Sequence, residues 1–388
     1  MENKNYIFVG SYIGKNNYEK LINEYFKSEN GVSNSEYERV VYEGFKKKSK
    51  NVYFLCAPSC GVFPFNTNKM FTHFSSDEIE ICNHCNIAGL THVSKYFALK
   101  KKLSKLIRDY SLGKETIVIG CEIHLPYLKI LKYSKQKYGF KTCLIVPDLP
   151  ENYIGINNFI YRKIKEKNNR ECYKIGNKFV DSYLFFTNKM LNHFQVENKP
   201  YLIKEGILEN INENCFQKNE RSCAFIGKTN KINGVELILQ AAKKMPTFTF
   251  DFYGSGDMDE IIRNSNLDNV THKGFANPND IDFILKEYNI LLCPRFAADY
   301  TAVSFPSKII KYISHCKKVV TIKLPCYSEK FNNLFYLMEK EDSDSLVNSI
   351  IAAFKDNNKK MQEIVNKNLN DLLQDNYTTD FISILANL

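Results

Sequence analysis

Short apolar runs alternate with helical patterns twice along this chain of 388 residues. The runs are continuous rather than alternating between apolar and polar residues, which predicts strands covered by helices on both faces, as in a parallel sheet. In the first half we predict strands at Tyr6–Val9, Val52–Leu55, Thr116–Ile119, Thr142–Val146 and Tyr183–Phe186. In the second half we predict strands at Ser222–Ile226, Phe248–Tyr253, Val270–Lys273, Ile290–Cys293, Val319–Ile322 and Phe335–Leu337. Two such series predict an α/β fold with two doubly wound, Rossmann-like domains that face each other across a cleft.

The length also favours two domains, because a chain of this size is too long for one ordinary core. The helical pattern breaks at Asn198–Ile207, where Pro200 stands, and this segment is the candidate linker. We therefore predict a first domain at 1–203 and a second at 204–371. The C-terminal helix, at about 372–388, is expected to pack back on the first domain.

The net charge of +10 has three explanations: nucleic-acid binding, an anionic membrane surface, or a composition rich in lysine. Lysine is abundant everywhere in the chain, so the charge alone decides little. No basic stripe interleaved with aromatic residues is found, so nucleic acid is not an expected partner. No signal peptide and no long apolar stretch are found, so a cytoplasmic protein is expected.

The twelve cysteines are mostly scattered singly, which favours reduced thiols over a disulfide framework. The sequence Cys82-Asn83-His84-Cys85 suggests a metal site. A zinc ion would need a second pair of ligands, and no convincing pair is found, so no metal is expected.

Three loops that follow predicted strands carry the residues expected to bind a ligand, because ligands of parallel sheets bind beyond the carboxyl ends of the strands. In the first, Gly227 ends a strand and is followed by Lys228 and Lys231. Glycine lets the backbone approach a ligand closely, and lysines neutralise a diphosphate. The alternative is an ordinary loop with solvated lysines.

The second loop contains Gly254 and Gly256, a pattern that is weak when it occurs alone. The third contains Arg295 and then Pro306, Ser307 and Lys308 at the start of a predicted helix. Proline suits the first turn of a helix. The free amides of Ser307 and Lys308, the helix dipole and the lysine charge together predict an anion site. The alternative is a capped helix with a solvated lysine.

In this order, the loops resemble the donor domain of family 4 retaining glycosyltransferases, which have the GT-B fold. The similarity is most specific between Ser222 and Pro325, with the sequence FPSKIIKYISHCKKVV at Phe305–Val320. In the first half, IVPDLPENY at Ile145–Tyr153 resembles members that build bacterial surface polysaccharides. The resemblance implies transfer from a nucleotide-diphosphate sugar with retention of configuration, and neither a metal nor another cofactor is required.

The resemblance also implies individual roles in the donor site. Lys228 takes the place of a basic residue that grips the diphosphate, and Ser307 with Lys308 matches the family's Pro-Ser-Lys turn. The family's usual lysine five positions after Lys228 is Asn233 here, and Lys231 is a candidate substitute. The residues expected to contact the donor nucleotide or sugar are Gly227, Gly254, Gly256, Arg295 and Asp299.

One departure from the family concerns two glutamates separated by seven residues, the second of which commonly holds the nucleotide ribose. Val303 and Lys311 stand at these two positions. Asp299 is the nearest acid, four residues before Val303. A different donor pose, or a non-catalytic homologue that acts as a binding or partner subunit, is therefore the alternative to an active enzyme.

On the acceptor side, Asp148 follows a predicted strand and is a candidate to orient the sugar or to remove a proton from the acceptor hydroxyl. Its alternative role is to cap the next helix. His124 is a second catalytic candidate, and its alternative is a structural histidine. Gly10, Ser11 and Tyr12 close the first strand and are expected to line the acceptor pocket.

Residues Lys95–Tyr110 predict an amphipathic helix with Lys95, Lys101, Lys102, Lys105 and Arg108 on the polar face. Such a helix can lie on anionic lipid, and relatives often act on lipid-linked acceptors at the inner face of the membrane. The alternative is a packed helix with a solvated lysine face.

Together these features predict a glycosyltransferase that acts on a glycan or lipid-linked acceptor in the synthesis of surface polysaccharide or another glycoconjugate. A sugar-nucleotide epimerase, which shares the architecture, would need several acids and histidines around the sugar, and that set cannot be assembled from the sequence.

Overall fold

The computed structural model of the chain describes residues 4–26, 35–150, 159–211, 221–276, 280–356, 365 and 367–388. The chain forms two compact units. The first comprises Met1–Ile207 together with Gln374–Leu388, and the second comprises Leu208–Leu373. Each unit is built around its own parallel sheet.

The first unit contains a seven-stranded parallel sheet with the order β3-β2-β1-β4-β5-β6-β7. Its strands are β1 (Asn5–Gly10), β2 (Val52–Cys56), β3 (Glu80–Ile81), β4 (Thr116–Gly120), β5 (Lys141–Val146), β6 (Ser182–Phe185) and β7 (Tyr201–Ile203). Its helices before the second unit are α1 (Tyr18–Lys20), α2 (Ser35–Lys48), α3 (Thr91–Asp109), α4 (Leu125–Tyr138) and α5 (Phe159–Phe179).

The second unit contains a six-stranded parallel sheet with the order β10-β9-β8-β11-β12-β13. Its strands are β8 (Ser222–Ile226), β9 (Thr249–Tyr253), β10 (Val270–Gly274), β11 (Ile290–Cys293), β12 (Lys318–Ile322) and β13 (Phe335–Met338). Its helices are α6 (Val235–Lys244), α7 (Asp259–Arg263), α8 (Ile281–Glu287), α9 (Ser307–Ser314), α10 (Glu329–Asn332) and α11 (Ser343–Lys355).

The central strands explain why the apolar runs in the sequence are continuous. Every residue of β4, β11 and β12 is buried, so both faces of these strands are covered. Both sheets are doubly wound. The first strand of each unit lies inside the sheet, the next two strands follow on one side of it, and the later strands follow on the other side. The predicted fold class, two doubly wound α/β domains, is confirmed.

The candidate linker was wrong in one respect, because it contains a strand. Residues Tyr201–Ile203 pair with β6 in parallel and form the last strand of the first sheet. Pro200 precedes this strand, and its carbonyl accepts a hydrogen bond from Tyr183 N at 3.1 Å. A proline just before an edge strand removes no donor from the ladder, so it does not prevent pairing.

The C-terminal helix α12 (Gln374–Ala386) belongs to the first unit and packs on α2. The rings of Phe45 and Phe381 lie 5.4 Å apart, and Lys48 Nζ lies 2.6 Å from an Asp375 carboxylate oxygen. The chain leaves the first unit at Ile207 and returns at Gln374. Beside these two points, Leu208 N donates to Leu372 O at 2.8 Å, and Leu208 forms a β-bridge with Leu373.

Ten of the described cysteines are free thiols, as the sequence favoured. Cys316 is the exception among the described residues, because it is disulfide-bonded. Burial raises the pKa of most free thiols, for example that of Cys60 to about 12. A buried thiol with a raised pKa is unreactive, so these residues act as small apolar side chains.

Candidate functional site

The two sheets have equivalent switch points at their carboxyl edges. In the first unit the switch point lies between β1 and β4, and in the second it lies between β8 and β11. Ligands of open α/β sheets bind beyond the carboxyl ends of the strands at such a point. The residues that follow these strands therefore define one candidate site in each unit.

Three glycines let the turns after β8 and β9 lie against each other. Gly254 has φ of +141°, and a Cβ atom there would stand 1.8 Å from the carbonyl oxygen of Gly227. A Cβ atom on Gly256 would stand 2.1 Å from the carbonyl oxygen of Thr229. Only glycine fits at these contacts between backbones. The backbones of the turns after β8 and β9 are therefore in direct contact.

Further hydrogen bonds fix the same two turns. Gly227 N donates to Tyr253 O at 2.8 Å, and Met258 N donates to Thr229 O at 3.1 Å. The hydroxyl of Thr229 donates to the carboxylate of Asp259, and this carboxylate lies 3.1 Å from His272 Nε2. The turns are therefore held in place before any ligand binds.

Lys308 in the first turn of α9 lies directly against the first glycine. A Cβ atom on Gly227 would stand 3.2 Å from Lys308 Nζ, and this ammonium lies 4.2 Å from the centre of the Phe225 ring. The aromatic ring attracts the cation and fixes its position. Burial lowers the pKa of Lys308, and the charge of Arg295 lowers it further.

Helix α9 is tied to the end of β8 by one buried hydrogen bond. Tyr312 Oη donates to Ile226 O at 2.9 Å, one residue before Gly227. This bond aligns the first turn of α9 with the loop after β8. Ser307, the first residue of the helix, is exposed. The first N–H groups of a helix have no partner within the helix, so Ser307 and Lys308 present donors at this edge.

The other two lysines of the first loop are less constrained. Lys228 is exposed, and its carbonyl accepts a hydrogen bond from Asn233 Nδ2 at 2.8 Å. Asn233, which stands at the position of the family's usual lysine, therefore stabilises the conformation of the loop. Lys231 Nζ lies 3.5 Å from a Glu236 carboxylate oxygen, and 77% of the Lys231 side chain is exposed.

Two further predicted donor-site residues follow β11. Arg295 Nη1 donates to Ser304 O at 3.4 Å and lies close enough to Lys308 to lower its pKa. Asp299 begins a short 3₁₀ turn at Asp299–Val303, and its side chain lies outside the part of the chain that the structure describes.

The unexpected lysine of α9 has an ionic partner within the second unit. Lys311 Nζ lies 2.5 Å from an Asp282 carboxylate oxygen, and His315 Nε2 lies 3.3 Å from the same oxygen. Hydrogen bonds from His315 and Lys311 hold the pKa of Asp282 well below its usual range. Lys311 thus joins α9 to α8, which accounts for a lysine at this position without a contact to a nucleotide.

At the switch point of the first unit, the end of β1 is occupied by a buried carboxyl group. Glu38, on α2, accepts hydrogen bonds from Ser11 N at 2.8 Å, Tyr12 N at 2.7 Å and Ser11 Oγ at 3.2 Å. A Cβ atom on Gly10 would stand 2.7 Å from a Glu38 oxygen. Burial, and then the charge of Glu122, raises the pKa of Glu38 to about 8.

His124 precedes α4 and lies in a cluster of aromatic rings. Its ring centre lies 5.0 Å from that of His92 and 4.8 Å from that of Tyr127. Within the described residues, its buried Nδ1 has no hydrogen-bond partner. Burial, followed by the charge of Lys95, lowers the pKa of His124 well below its usual range, so the ring is neutral near pH 7.

Asp148, the other predicted catalytic residue, lies two residues beyond β5 and is exposed. The segment that follows, which includes Glu151 to Tyr153 of the sequence IVPDLPENY, lies outside the described residues. Of the predicted site residues, the structure brings Gly227, Gly254, Gly256 and Lys308 together in the second unit. His124 lies in the first unit, among the rings of His92 and Tyr127. The catalytic roles stay predictions.

The polar face predicted for the helix at Lys95–Tyr110 was wrong at its first residue. The buried residues of α3 are Thr91, Lys95, Leu99, Leu103 and Leu106. Lys95 stands four residues before Leu99, so helical spacing places it on the inner face, where it is only 5% exposed. Lys102 is paired with Glu80 at 2.6 Å.

The outer stripe of α3 has an apolar half and a cationic half. Val93 and Phe97 are exposed near its start, and Lys101, Lys105 and Arg108 are exposed near its end. No helix among the described residues is long and apolar enough to cross a membrane. The described residues also contain no group of three or more His, Cys, Asp or Glu side chains that could hold a metal ion.

Comparison with known proteins agrees with the arrangement of the second unit. Residues 207–370 match the family model of the glycosyl transferases group 1. This range corresponds to the second unit, which carries the glycine turns and Lys308. The resemblance to GT-B glycosyltransferases predicted from the sequence is confirmed.

A curated relative points in the same direction. The chain is 28% identical over 137 residues to the putative teichuronic acid biosynthesis glycosyltransferase TuaH of Bacillus subtilis (strain 168). The alignment covers 34% of this chain and 33% of that protein. The match therefore spans about a third of the length of each.

Two solved structures are similar over nearly the whole chain. Sucrose-phosphate synthase from Thermosynechococcus elongatus has a TM-score of 0.66 at 13% identity, covering 99% of this chain and 100% of the other. HepE of Anabaena, solved in complex with UDP, has a TM-score of 0.63 at 11% identity, with 99% and 100% covered. At such low identity these matches establish the GT-B fold.

Sequence reasoning missed Glu38 and misplaced Lys95. Glu38 lies on a helix 27 residues away in sequence from Ser11, which it contacts. No local pattern joins the two residues. For Lys95 a signal was present, because its spacing with Leu99, Leu103 and Leu106 follows the apolar stripe.

Proposed function

We propose that this protein is a glycosyltransferase that moves a sugar from a nucleotide-diphosphate sugar to a glycan or lipid-linked acceptor. The observation that carries the proposal is the contact of Lys308 with the glycine turns at the carboxyl edge of β8 and β11. The match to glycosyl transferases group 1 and the fold shared with a UDP-binding structure support it.

The site in the second unit suits a diphosphate for three physical reasons. Gly227, Gly254 and Gly256 allow the backbone to approach a ligand without a Cβ atom in the way. The first turn of α9 offers N–H donors and the positive end of the helix dipole. Lys308 adds a full charge that Phe225 holds in place.

These groups would act most strongly when the sugar–phosphate bond breaks. The leaving diphosphate gains negative charge in the transition state, and a fixed ammonium and fixed amides stabilise that charge without reorganisation. Lys228 and Arg295 are proposed to add to this effect. Retention of configuration and independence of metal are part of the proposal and follow from the family resemblance.

The acceptor is proposed to bind at the first unit, where Gly10, Ser11, Tyr12, His124 and Asp148 follow strands of the first sheet. A neutral His124 is able to accept a proton from an acceptor hydroxyl, although its low pKa makes it a weak base. Asp148, which is exposed, is the alternative base. The similarity to TuaH, described as a putative teichuronic acid biosynthesis glycosyltransferase, supports an acceptor in polysaccharide synthesis.

The first experiment measures hydrolysis of, and transfer from, a panel of UDP-, GDP- and TDP-sugars, with and without EDTA. Lys308→Ala is expected to reduce transfer at least about 100-fold, as expected for a group that stabilises transition-state charge. Lys243→Ala is the matched control, because Lys243 is an exposed lysine on α6 of the same unit. The anomeric configuration of the product, followed by NMR, tests retention.

No binding of any of these nucleotide sugars would rule out the donor site. Binding without transfer or hydrolysis would support the second candidate, a non-catalytic homologue that serves as a partner subunit. Two observations favour that candidate. Neither Val303 nor Lys311 is an acid that could contact the ribose and sugar, and Lys311 is paired with Asp282 instead.

A peripheral contact with anionic membrane is also proposed, through the outer stripe of α3. Exposed Val93 and Phe97 would enter the interface, and Lys101, Lys105 and Arg108 would contact anionic headgroups. Changing these three basic residues to Glu should abolish pelleting with anionic liposomes. The same change at Lys243, Lys286 and Lys340, exposed lysines of the second unit, should leave pelleting intact. Equal pelleting of both variants would exclude this surface.

A further inference from the structure

The first unit buries a lysine that makes neither a hydrogen bond nor an ion pair within the described part of the chain. Lys95 is 5% exposed, and burial lowers its pKa even though Cys60 and Glu122 raise it. A buried charge without a partner costs several kcal/mol, on the order of magnitude known for ions removed from water. Titratable groups perturbed by burial cluster at functional sites, so this lysine is a candidate contact for a ligand.

The position of Lys95 is at the edge of the sheet where ligands bind. Lys95 lies one turn into α3, which enters the fold after β3, and its charge acts on Cys60, which follows β2, and on His124, which follows β4. The carboxyl ends of these parallel strands lie at one edge of the sheet. Lys95 therefore reaches the same edge as the switch point of the first unit.

Three histidines are close enough for the charge of Lys95 to act on their pKa values. His92 and Lys95 are three residues apart on α3 and so lie on the same side of the helix. The ring of His92 packs edge-on against that of His124. Burial, and then the charge of Lys95, lowers the pKa of His92 to about 4 and that of His84 to about 3. All three rings are therefore neutral near pH 7.

The carboxyl groups nearby do not neutralise the lysine fully. Glu38 and Glu122 raise the pKa of Lys95, but burial outweighs them and the net shift is downward. Glu38 itself has a pKa of about 8, so it is largely protonated near pH 7 and does not repel an anion. Glu122, which is half-buried, provides the remaining negative charge in this region.

We propose that Lys95 and the imidazole ring of His124 bind the oxyanion of an acidic acceptor, either a sugar carboxylate or a sugar phosphate. The ammonium would supply the opposite charge, and a ring N–H group of the neutral imidazole would donate a hydrogen bond to the same oxyanion. The assignment of this oxyanion to the acceptor rests on the proposed function, whereas the binding of the anion does not.

The test measures binding by calorimetry to the full chain without nucleotide, using methyl glucuronide, glucose 1-phosphate and neutral methyl glucoside. At least one of the anionic sugars should bind about tenfold or more tightly than the glucoside, as expected for a charge-assisted contact. The anion that binds identifies the source of the oxyanion. Equal binding of all three compounds, or no binding of either anion, would overturn the proposal.

Lys95→Met keeps the length of the side chain and removes the charge. It should weaken binding of the anion at least about tenfold and leave binding of the glucoside unchanged. Lys174→Met, at an exposed lysine of α5 in the same unit, is the control with the same change in charge. Unchanged affinity in Lys95→Met would contradict the role of Lys95.

Two further measurements keep the outcome independent of folding and of catalysis. In the wild-type protein, the anion should shift the NMR signal of the His124 Cε1–H group, and the glucoside should not; no shift with either anion would refute the site. Without ligand, Lys95→Met should unfold at the same or a higher temperature, because it removes an unpaired buried charge. Anion binding that depends on Lys95 in a chain without transferase activity would reject the proposed function and keep this inference.

Discussion

The two sheets have the same kind of strand order, but their carboxyl edges are lined by different chemical groups. In the second unit the edge consists of backbone, where Gly227, Gly254 and Gly256 bring the turns together and Lys308 supplies the charge. In the first unit the edge is filled by buried titratable side chains, among them Glu38 and Lys95. The same topology thus supports two kinds of recognition.

Under the proposed function, this difference matches what each edge would bind. A diphosphate is the same in every nucleotide sugar, so a site made of backbone amides and one fixed lysine is sufficient. An acceptor differs between enzymes, and side chains are the part of a scaffold that varies at constant backbone. The proposed function thus assigns the general contact to the second unit and the specific one to the first.

The largest effect is expected where the second edge depends on backbone contact. In Gly254→Ala the new Cβ atom would overlap the Gly227 carbonyl oxygen at 1.8 Å, and a backbone atom cannot rotate away. We expect a loss of about 3 kcal/mol or more in the free energy of unfolding of the second unit, and loss of donor binding. Denaturant titration and calorimetry with UDP measure the two effects.

Gly274→Ala provides the control for this prediction. Gly274 also has a positive φ, of +82°, but a Cβ atom there meets nothing within 4 Å. Only the strain of the backbone conformation remains, about 1 kcal/mol. Equal losses in both variants would show that the contact with Gly227 does not matter.

The second prediction concerns the titratable edge. Glu38 has a folded pKa of about 8, above its usual value of 4.5, so the folded state favours the protonated carboxyl group. Its contribution to stability is present below pH 4.5 and is lost as the pH rises toward 8, by at most about 1.4 kcal/mol per pH unit. Glu38→Gln cannot ionise, so it should gain stability over the wild type between pH 5 and pH 8.

Chemical denaturation at pH 5 and pH 8 measures this change. Glu36→Gln, an exposed position on the same helix with 70% of its side chain accessible, should differ from the wild type equally at both pH values. A stability difference for Glu38→Gln that does not grow with pH would mean that Glu38 is ionised in the fold.

A smaller effect is expected at the hydrogen bond that holds α9 against β8. Tyr312→Phe leaves the carbonyl of Ile226 without its donor in a buried position, which costs about 1–2 kcal/mol. Because Ile226 precedes Gly227, the affinity for UDP should fall as well. Loss of stability with unchanged affinity would show that this bond does not position the loop.

The smallest effect is expected for Lys231→Met. This lysine is mostly exposed and lies 3.5 Å from Glu236, a pair that contributes little to stability. We expect the KM for the donor to rise by about threefold or less, compared with a large loss of transfer in Lys308→Ala. A loss as large as that of Lys308→Ala would show that Lys231 turns toward the diphosphate.

The sequence predicted the central strands well because burial on both faces leaves continuous apolar runs, as in Ile290–Cys293, where the prediction and the strand coincide. It missed β3 and β7, which have two and three residues and carry no such run. Short edge strands are defined by their neighbours in the sheet, and the sequence does not specify those neighbours.

The residues of the candidate sites were likewise predictable only where the signal lies in neighbouring positions of the sequence. The loops of the second unit were found because glycine and lysine stand directly after each strand. The contact of Lys308 with Gly227 joins residues 81 positions apart, and only the fold brings them together. Glu38 was missed for the same reason, whereas Lys95 was misplaced because lysine was assumed to face water.

The bridge between Leu208 and Leu373 has a consequence for how such proteins diversify. The second unit begins and ends at neighbouring points, so a single recombination event could exchange it as a cassette, and the first unit would keep its sheet and its C-terminal helix. Donor and acceptor preferences could then be inherited separately. Under the proposed function, a chimera joined at Ile207 and Gln374 would combine the donor choice of one relative with the acceptor choice of another.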